Sequence, residues 1–309
     1  MSRFLLLLLC VPPLLFSLDF KVASYNVENL FDLVHDGSEY EEYIPNNEHL
    51  WNSKNFEIKI ANIARVIKDL DADVLALEEI ENKEALKQLN NALKDKKYPY
   101  MYAPKKKKTS ATDCALLSRF PIVFERSFFP NGHRRGIHEV VIKVDAEHLS
   151  LYLNHWPAQP EKIKERMHYV QGLKEMITQS KNSEFVLLGD FNSLYKENKK
   201  GWGRALNEGL GAGDIGSRYY NLWYQIPAKE RYSHGSKRKK TTLDHILVPP
   251  SMSDKKGVDY VASSFGVFRP NYATKEDKTP IRWQFDGQHK GDGFSDHFPI
   301  FAIFTTKPK

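Results

Sequence analysis

The sequence predicts an α/β fold in which helices cover β-sheets. Near-continuous runs of Val, Leu and Ile recur along the chain, a pattern typical of strands that are buried on both faces. Segments with apolar residues at helical spacing separate these runs. Because helices alternate with buried strands, we expect sheets that are covered by helices. The chain has no internal repeat and no long low-complexity linker, which favours one continuous domain.

Eight strand-like runs are spread along the chain. They are FKVASYNV (20–27), VLALEE (74–79), DCALLSRFPIVF (113–124), EVVIKV (139–144), LSLYLNHW (149–156), FVLLGDFN (185–192), DHILV (244–248) and PIFAIF (299–304). Helices are predicted over 54–70, over 83–95 after a cap at Asn82, and over 160–179 with Pro160 in the first turn. The stretch 192–240 is rich in glycine and aromatic residues without sustained periodicity, so we predict a long surface excursion there.

Residues 1–18 have the composition of an export signal. Arg3 supplies a positive charge, residues 4–16 form an apolar segment, and Ser17 offers a small residue for cleavage. The apolar segment is shorter than the ~20 residues that a membrane-spanning helix needs. We therefore expect a signal peptide over 1–18, one domain over 19–309, no transmembrane span in the mature chain, and a periplasmic or secreted protein. An uncleaved membrane anchor is the alternative interpretation.

Composition and charge narrow the class of protein. Hydrophobic residues make up 41% of the 309 residues and aromatic residues 12%, which excludes a disordered chain. The net charge of +6 and the pI of about 9.0 favour a polyanionic partner, either nucleic acid or an anionic membrane surface. Cys114 is the only cysteine after residue 18, so the mature chain has neither an intramolecular disulfide nor a cysteine-based zinc site. We expect a monomer.

Two apolar runs end in side chains that bind hard metal ions. VLALEE ends in Glu78 and Glu79, and the first run contains Asn26 near its end. A carboxylate at the mouth of a buried strand costs several kcal/mol to desolvate unless it is paired or bound to metal. Magnesium prefers oxygen ligands, so we predict that Glu79 binds Mg²⁺. Asn26 is predicted as a neutral oxygen ligand or as a partner that orients Glu79. A solvated glutamate and a turn asparagine are the alternatives.

The run FVLLGDFN ends in a second polar pair, Asp190 and Asn192. If the strand conformation continues past Gly189, the two side chains point to the same side because side chains repeat every two residues. A carboxylate at this position can hold and polarise a water molecule, while an amide donates to a phosphoryl oxygen. A turn-initiating aspartate is the alternative interpretation.

Aspartates and histidines at three further strand ends predict an acid–base centre. We expect Asp244 to orient His297, as carboxylates fix the tautomers of functional histidines, and Asp296 to complete the metal site. His155 is predicted to protonate the leaving oxygen, and Asn154 to help to place His155 and the substrate. The other histidines are interpreted as ordinary core or surface residues: His35, His49, His133, His138, His148, His168, His234 and His289.

Two basic runs, 105–108 and 237–240, interrupt the chain. A solvated loop is the usual interpretation of such a run. The second run lies immediately before Asp244, so we predict that it grips phosphates beside the site. The predicted substrate contacts are Arg166, Lys237, Arg238, Lys239 and Lys240, with Arg134 and Arg135 as further candidates.

Seven motifs occur in the order of the endonuclease/exonuclease/phosphatase superfamily: SYN (24–26), ALEE (76–79), LLSRFPI (116–122), NHWP (154–157), GDFN (189–192), LDH (243–245) and SDH (295–297). The chain resembles this superfamily over essentially its whole mature length. It looks most like the deoxyribonuclease I-like exported bacterial nucleases, because His155 stands where that type carries a catalytic histidine. Glu78 is a departure, since relatives often have Gln there.

The resemblance implies a four-layer sandwich of two packed mixed β-sheets flanked by helices. It also implies a Mg²⁺-dependent phosphodiesterase or phosphatase, with Mn²⁺ as the alternative metal. It assigns residues to three roles: metal binding to Asn26, Glu79 and Asp296; water and phosphate positioning to Asp190 and Asn192; and proton transfer to Asp244, His297 and His155.

These inferences predict an exported, non-sequence-specific endonuclease that hydrolyses DNA, with RNA as an alternative substrate, by metal-assisted attack of water on phosphorus. A sphingomyelinase-type phospholipid phosphodiesterase or a phosphoinositide phosphatase is the second interpretation, because fold and catalytic centre do not settle the substrate. A non-catalytic binding protein on the same scaffold is the third. The presence of every expected acid, amide and histidine argues against it.

Overall fold

The computed structural model describes residues 17–105, 110–158, 162–180, 182–196, 205–236 and 239–306. Most of the predicted signal peptide and the basic residues Lys237 and Arg238 lie outside these ranges. The elements in chain order are β1 (Asp19–Leu30), α1 (Ser53–Leu70), β2 (Val74–Ile80), α2 (Lys83–Ala92), β3 (Tyr100–Tyr102), β4 (Asp113–Ser118), β5 (Ile122–Phe128), β6 (Ile137–Val144), β7 (Glu147–His155), α3 (Ile163–Gln179), β8 (Phe185–Asp190), β9 (Ala212–Gly213), β10 (Tyr219–Asn221), β11 (His234–Ser236), β12 (Lys239–Thr241), β13 (Asp244–Val248), β14 (Val258–Tyr260), β15 (Gly266–Val267) and β16 (Ile300–Thr306).

The strands form two large mixed sheets and one small hairpin. The first sheet has the order β14-β16-β1-β2-β4-β3, with β15 also paired to β16, and the second has the order β5-β6-β7-β8-β13-β10-β9. Each sheet has a parallel pair near its middle, β1 with β2 and β7 with β8, while their outer neighbours β16, β4, β6 and β13 run antiparallel. Strands β11 and β12 form the hairpin.

Three apolar cores separate four layers. Side chains alternate across each strand, so Val74 and Ala76 of β2 pack between the two sheets while Leu75 and Leu77 pack under α1 and α2. On the other side of the molecule, α3 packs against the outer face of the second sheet through a core that includes Leu187. The predicted four-layer sandwich of two packed mixed β-sheets flanked by helices is confirmed.

The helix boundaries follow from local capping. The side chain of Asn52 accepts a hydrogen bond from the Asn55 amide at the start of α1, and Asp71 ends that helix in the left-handed region. Asn82 caps α2, as predicted, by accepting from the backbone amides of Glu84 and Ala85. Among the described residues, no helix combines the length and the apolar character that a bilayer crossing requires.

Two sequence expectations differ from the observed fold. The run 113–124 is not one strand, because it divides into β4 and β5, which belong to different sheets. The described parts of 192–240 are not only a surface excursion, since β9 and β10 extend the second sheet and Leu206 and Trp223 are fully buried. These residues pack through short elements that have no periodicity to detect.

Gly189 allows β7 and β8 to approach each other at the end that carries His155 and Asp190, two of the predicted site residues. Its φ is +129°, a conformation that side-chain-bearing residues rarely adopt. A Cβ atom at this position would lie 2.0 Å from the backbone oxygen of Asn154. The pairs Asn154–Gly189 and His155–Asp190 are successive in the ladder, so the glycine sets the separation of His155 and Asp190.

We expect Gly189→Ala to lower the free energy of unfolding by about 3 kcal/mol or more, because the new Cβ overlaps the backbone of β7. Gly216→Ala is the matched control, since Gly216 also has a positive φ (+91°) but nothing lies within 4 Å of an added Cβ. In the control, the free energy of unfolding should fall only by the ~1–2 kcal/mol that a residue with a Cβ atom costs in this backbone conformation. Urea unfolding of both variants measures the difference, and equal losses would contradict the steric argument.

Candidate active site

The ends of strands from both sheets meet in one cleft. Strands β1 and β2 are parallel and carry Asn26 and Glu79 near their ends, and β7 and β8 are parallel and end at His155 and Asp190. Strand β13 runs antiparallel to β8 and begins at Asp244, directly opposite Asp190. Five residues that the sequence marked at separate strand ends are therefore neighbours.

The amide of Asn26 joins the two sheets. Its Nδ2 lies 3.1 Å from Glu79 Oε1 in its own sheet and 3.2 Å from Asp190 Oδ2 in the other. Its Oδ1 accepts from the backbone amide of Glu28 at 3.0 Å, which only an oxygen can do, so the amide orientation is fixed. Asn26 thus presents N–H groups to the cleft and orients the two carboxylates. Of its two predicted roles, this geometry fits the orienting partner and not the metal ligand.

Three residues at the strand mouths are among those with a strained backbone conformation. Glu28, Glu79 and Asn192 have φ values of 54°, 67° and 47°, in the left-handed region that is uncommon for residues other than glycine. Such conformations persist where surrounding contacts enforce them, and they cluster at functional sites. Strand β8 ends at Asp190, so Asn192 does not continue the strand. The prediction that the Asp190 and Asn192 side chains point to the same side therefore does not apply.

Asp190 is a deeply buried carboxylate of the cleft. Burial, followed by repulsion from Asp244, raises the pKa of Asp190 to about 7. Its Oδ1 accepts from the backbone amide of Asn192 at 2.8 Å, while its Oδ2 faces Asn26 and lies 3.9 Å from His297 Nε2. A carboxylate with a pKa near neutrality is suited to accept a proton from water.

His297 and Asp244 form a buried hydrogen-bonded pair. The His297 Nδ1 lies 2.8 Å from Asp244 Oδ2, and Ser233 donates to the same oxygen. Burial by itself lowers the pKa of His297, but Asp244, Asp296 and Asp190 together raise it well above its ordinary value. The imidazole is therefore protonated at neutral pH, and its Nε2 offers a proton to the cleft. The predicted pairing of Asp244 with His297 matches this geometry.

His155 is held by an arginine. Its Nε2 lies 3.0 Å from Arg135 Nη1 and 3.7 Å from both Glu79 Oε1 and Asp190 Oδ2. An arginine only donates, so this nitrogen accepts. Burial, followed by the positive charges of Arg135 and His297, lowers the pKa of His155 well below its ordinary value. The ring is neutral and accepts a hydrogen bond from Arg135, which holds this arginine at the cleft. The sequence predicted instead that His155 donates a proton.

His234 lies in the site, whereas the sequence predicts an ordinary core or surface histidine. It pairs with His297 through an isolated β-bridge, and the two rings lie 4.7 Å apart. Its Nε2 is 3.7 Å from Asp296 Oδ2. Burial raises the pKa of Asp296, but His234, His297 and Arg282 outweigh it and hold that pKa well below its ordinary value. No local pattern marks His234, because only the folding back of the β11–β12 hairpin brings it to Asp296.

An ionic network around buried Glu28 anchors the segment that delivers Asp296 and His297. The Glu28 carboxylate accepts from Arg282 Nε at 2.9 Å and from the backbone amide of Trp283 at 2.9 Å. Lys59, which is fully buried, donates to the backbone oxygens of Glu28 at 3.1 Å and of Phe294 at 2.7 Å. Helix α1 and the end of β1 therefore hold both sides of the loop between Arg282 and Phe294.

Three residues that were predicted to contact or position the substrate use their polar groups within the protein instead. Asn154 is fully buried, with Nδ2 donating to Tyr152 and Oδ1 accepting from Trp156, so it supports the strand end. Arg166 has no exposed surface and donates to the backbone oxygen of Pro157, which excludes a phosphate contact in this structure. The amide of Asn192 likewise donates to the backbone oxygen of Trp156 at 2.9 Å and is mostly buried. In each case the strand-end packing uses the polar group.

The described part of the basic run 237–240 lies at the surface. Lys239 and Lys240 are exposed on β12, and Lys240 Nζ lies 4.7 Å from the centre of the Tyr232 ring. The Cζ atom of Arg269 lies over the same ring, 4.1 Å from its centre. Cations on this hairpin therefore stand beside the strand that begins at Asp244.

Glu78 lies beneath the cleft and not in it. It is fully buried, and Ser24 Oγ donates to its Oε1 at 2.8 Å. Burial, followed by repulsion from Asp244, raises the pKa of Glu78 well above its ordinary value. The neighbouring Glu79 turns toward the cleft because of its left-handed backbone. Only the second glutamate of the pair is thus presented to a ligand.

The donor set of the cleft suits a hard divalent cation. The carboxylates of Glu79 and Asp190 both contact the amide nitrogen of Asn26, and both lie 3.7 Å from His155 Nε2, so they surround one small volume. Oxygen ligands of this kind are those that magnesium prefers. Burial and, after it, repulsion from Asp244 raise the pKa of Asp190, and a bound cation would favour the ionised form of this carboxylate.

Comparison with known proteins agrees with this architecture. A sequence model described as the Endonuclease/Exonuclease/phosphatase family matches residues 21–306, whereas no curated protein sequence matches the chain. Structures of similar fold include D. rerio TDP2 complexed with single-strand DNA product, with 12% identity, a TM-score of 0.60, and 93% of this chain and 99% of that chain covered. A family protein from Bacteroides thetaiotaomicron gives 14% identity, a TM-score of 0.60, and coverage of 94% and 99%. A family protein from Leptotrichia buccalis has 16% identity and a TM-score of 0.56, with 92% of this chain and 98% of that chain covered.

At these low identities, the structural similarity supports a shared fold only. The match to the family sequence model, by contrast, spans nearly all of the described chain. Members of the matched family are phosphodiesterase and nuclease hydrolases that generally depend on divalent metals. The match over 21–306, together with the four-layer sandwich and a cleft of carboxylates and histidines at the strand ends, leads to one conclusion. The chain belongs to the Endonuclease/Exonuclease/phosphatase family.

Proposed function

We propose that this protein is an exported, Mg²⁺-dependent phosphodiesterase that cleaves DNA as a non-sequence-specific endonuclease. The observation that carries the proposal is the close grouping of Asp190, Asp244 and His297, whose ligand atoms all lie within 4.8 Å of one another, beside Glu79. Such a grouping combines a general base, an imidazolium donor and a cation site. Export rests on the composition of residues 1–18.

Each cleft residue has a proposed task in the attack of water on phosphorus. Glu79, oriented by Asn26, would hold the divalent cation, which would supply charge neutralisation at the phosphate. Asp296 is a second carboxylate beside His297, with Oδ1 3.8 Å from His297 Nε2. Asp190 accepts the proton of the attacking water, and the Nε2 proton of His297 hydrogen-bonds a phosphoryl oxygen.

Arg135 supplies a second fixed positive charge on the opposite wall. His155 accepts from its guanidinium at 3.0 Å, and the hydroxyl of Tyr40 lies 3.5 Å from its Nη2. Preorganised cations at the place where negative charge develops are a large source of rate enhancement. Arg135 is therefore proposed to stabilise the phosphate or the departing oxygen, and His155 is proposed to position it.

Nucleic acid is the favoured substrate because of the surface beside the cleft. Lys239 and Lys240 are exposed there, and the net charge of the chain is +6. Lysine side chains that neutralise phosphates give sequence-independent binding. RNA and phospholipid head groups are the alternative substrates, and parallel activity assays distinguish them from DNA.

Purified protein should nick supercoiled plasmid in Mg²⁺ and stop when a chelator removes the metal. His297→Ala should reduce the rate by about 10²–10³-fold, because it removes the proposed donor to the phosphoryl oxygen. His148→Ala is the control, since His148 is exposed near the opposite end of β7 from His155. Parallel assays on RNA and sphingomyelin vesicles identify the substrate, and turnover of vesicles without plasmid nicking would refute the nuclease proposal.

Asp244→Asn should move the alkaline limb of the pH profile of kcat/KM to lower pH by about one to three units. The proposed mechanism needs protonated His297, and the adjacent carboxylate keeps that proton to higher pH. Removing the negative charge lowers the pKa of His297, so activity is lost earlier as the pH rises. Asp214→Asn, in an exposed turn, is the control. An alkaline limb that does not move would show that His297 is not the group being titrated.

Arg135→Gln should lower kcat by about 10²–10³-fold, whereas His155→Gln should cost less. The reason is that a glutamine oxygen still accepts from Arg135, while Arg135→Gln removes the charge itself. Steady-state nicking rates of the two variants provide the comparison. A greater loss in His155→Gln than in Arg135→Gln would restore His155 as the proton donor that the sequence predicted.

A further inference from the structure

Two imidazoles converge on one carboxylate at the edge of the cleft. His234 Nε2 lies 3.7 Å from Asp296 Oδ2, and His297 Nε2 lies 3.8 Å from Asp296 Oδ1. The ligand atoms of the three residues all lie within 4.8 Å of one another. We propose that His234, Asp296 and His297 form a second cation site, which takes a divalent transition metal of the Zn²⁺ class.

The far nitrogens of both imidazoles are already engaged. His234 Nδ1 lies 2.7 Å from Thr241 Oγ1, and His297 Nδ1 lies 2.8 Å from Asp244 Oδ2. Histidines that bind metal nearly always use the second ring nitrogen in this way, because the outer partner fixes the orientation and tautomer of the ring. Here two unrelated partners direct both Nε2 atoms toward the same carboxylate. This arrangement distinguishes the cluster from three polar residues that merely lie close together.

The ligand chemistry separates this site from the magnesium site. Zinc binds imidazole nitrogen and carboxylate oxygen at about 2.0–2.2 Å, which puts tetrahedral ligands about 3.4 Å apart. The two imidazole–carboxylate distances of 3.7 and 3.8 Å are close to this spacing, and the two imidazole nitrogens lie within 4.8 Å of each other. Magnesium prefers oxygen ligands, as offered by Glu79 and Asp190, whereas imidazole favours zinc and its neighbours. Two histidines and one carboxylate also leave a fourth position for water or a substrate oxygen.

The surroundings permit a cation to enter. The side chains of His234 and Asp296 are 16% and 19% exposed, so the cluster opens to solvent on one side. Arg282 Nη2 lies 3.9 Å from Asp296 Oδ2 and opposes a cation, but both Nε and Nη2 of this guanidinium donate to Glu28. The Glu28 carboxylate therefore offsets part of the positive charge that Arg282 presents to Asp296.

Occupation of this site has a consequence for catalysis, and this consequence rests on the proposed function. A zinc ion on His297 Nε2 replaces the proton that is proposed to contact the phosphoryl oxygen. Zinc and phosphodiester would then compete for the same imidazole. The site would act as an inhibitory metal switch at the edge of the magnesium-dependent cleft.

Zinc affinity of the full chain can be measured by competition with a chromophoric zinc chelator, without any substrate. His234→Phe keeps a ring against His297 but removes a ligand, and Thr241→Val removes the partner of His234. We expect Thr241→Val to weaken zinc binding by about 10–100-fold and His234→Phe to weaken it more. His148→Phe is the matched control and should bind zinc as the unaltered protein does.

The outcomes separate the site from the function. Equal zinc affinity in His234→Phe and the unaltered protein, or no binding at micromolar zinc, would overturn the proposed site. If zinc binds as expected but the protein cleaves no phosphodiester, the site stands and the proposed function fails. If Mg²⁺-dependent nicking is found, zinc should inhibit it in His148→Phe as in the unaltered protein. Inhibition that is unchanged in Thr241→Val would contradict the switch.

Discussion

The site depends on one hydrogen-bonded bridge between the two sheets. Asn26 reaches from the first sheet to Glu79 at 3.1 Å and to Asp190 of the second sheet at 3.2 Å. Two carboxylates so close to each other repel, and the N–H groups between them lower that cost. The backbone amide of Glu28 holds the amide oxygen of Asn26, so the bridge has one orientation. The geometry of the cleft is thus set where the inter-sheet core ends.

Around this bridge the protein balances buried charges by pairing them. Asp244 is paired with protonated His297, and Glu28 is paired with Arg282 and lies against buried Lys59. Unpaired charges would be expensive in this setting, since burial penalises every ionised group. The same balance explains why the two histidines differ. His297 faces carboxylates and holds its proton, whereas His155 faces Arg135 and stays neutral.

The cleft also shows why residue type alone does not define a role. Asn154, Arg166 and Asn192 have the chemistry of ligand-binding residues, yet their polar groups satisfy the backbone of the strand ends. A buried polar group must find a partner, and the nearest one is frequently a main-chain oxygen. Arg135 and His234, by contrast, occupy the cleft because long-range packing brings them there.

The sequence by itself determined the fold class, the main strands and the order of the motifs that mark the cleft, because apolar periodicity and polar strand ends are local properties of the chain. It also indicated Glu79, Asp190, Asp244 and His297, since a carboxylate or imidazole after a buried strand is a local signal. Tertiary structure alone decided how these groups face one another. The direction of the Asn26 amide, the Arg135–His155 contact and the arrival of His234 at Asp296 depend on pairing between residues far apart in sequence. No local pattern encodes those distances, because they arise only when both sheets and the β11–β12 hairpin pack together.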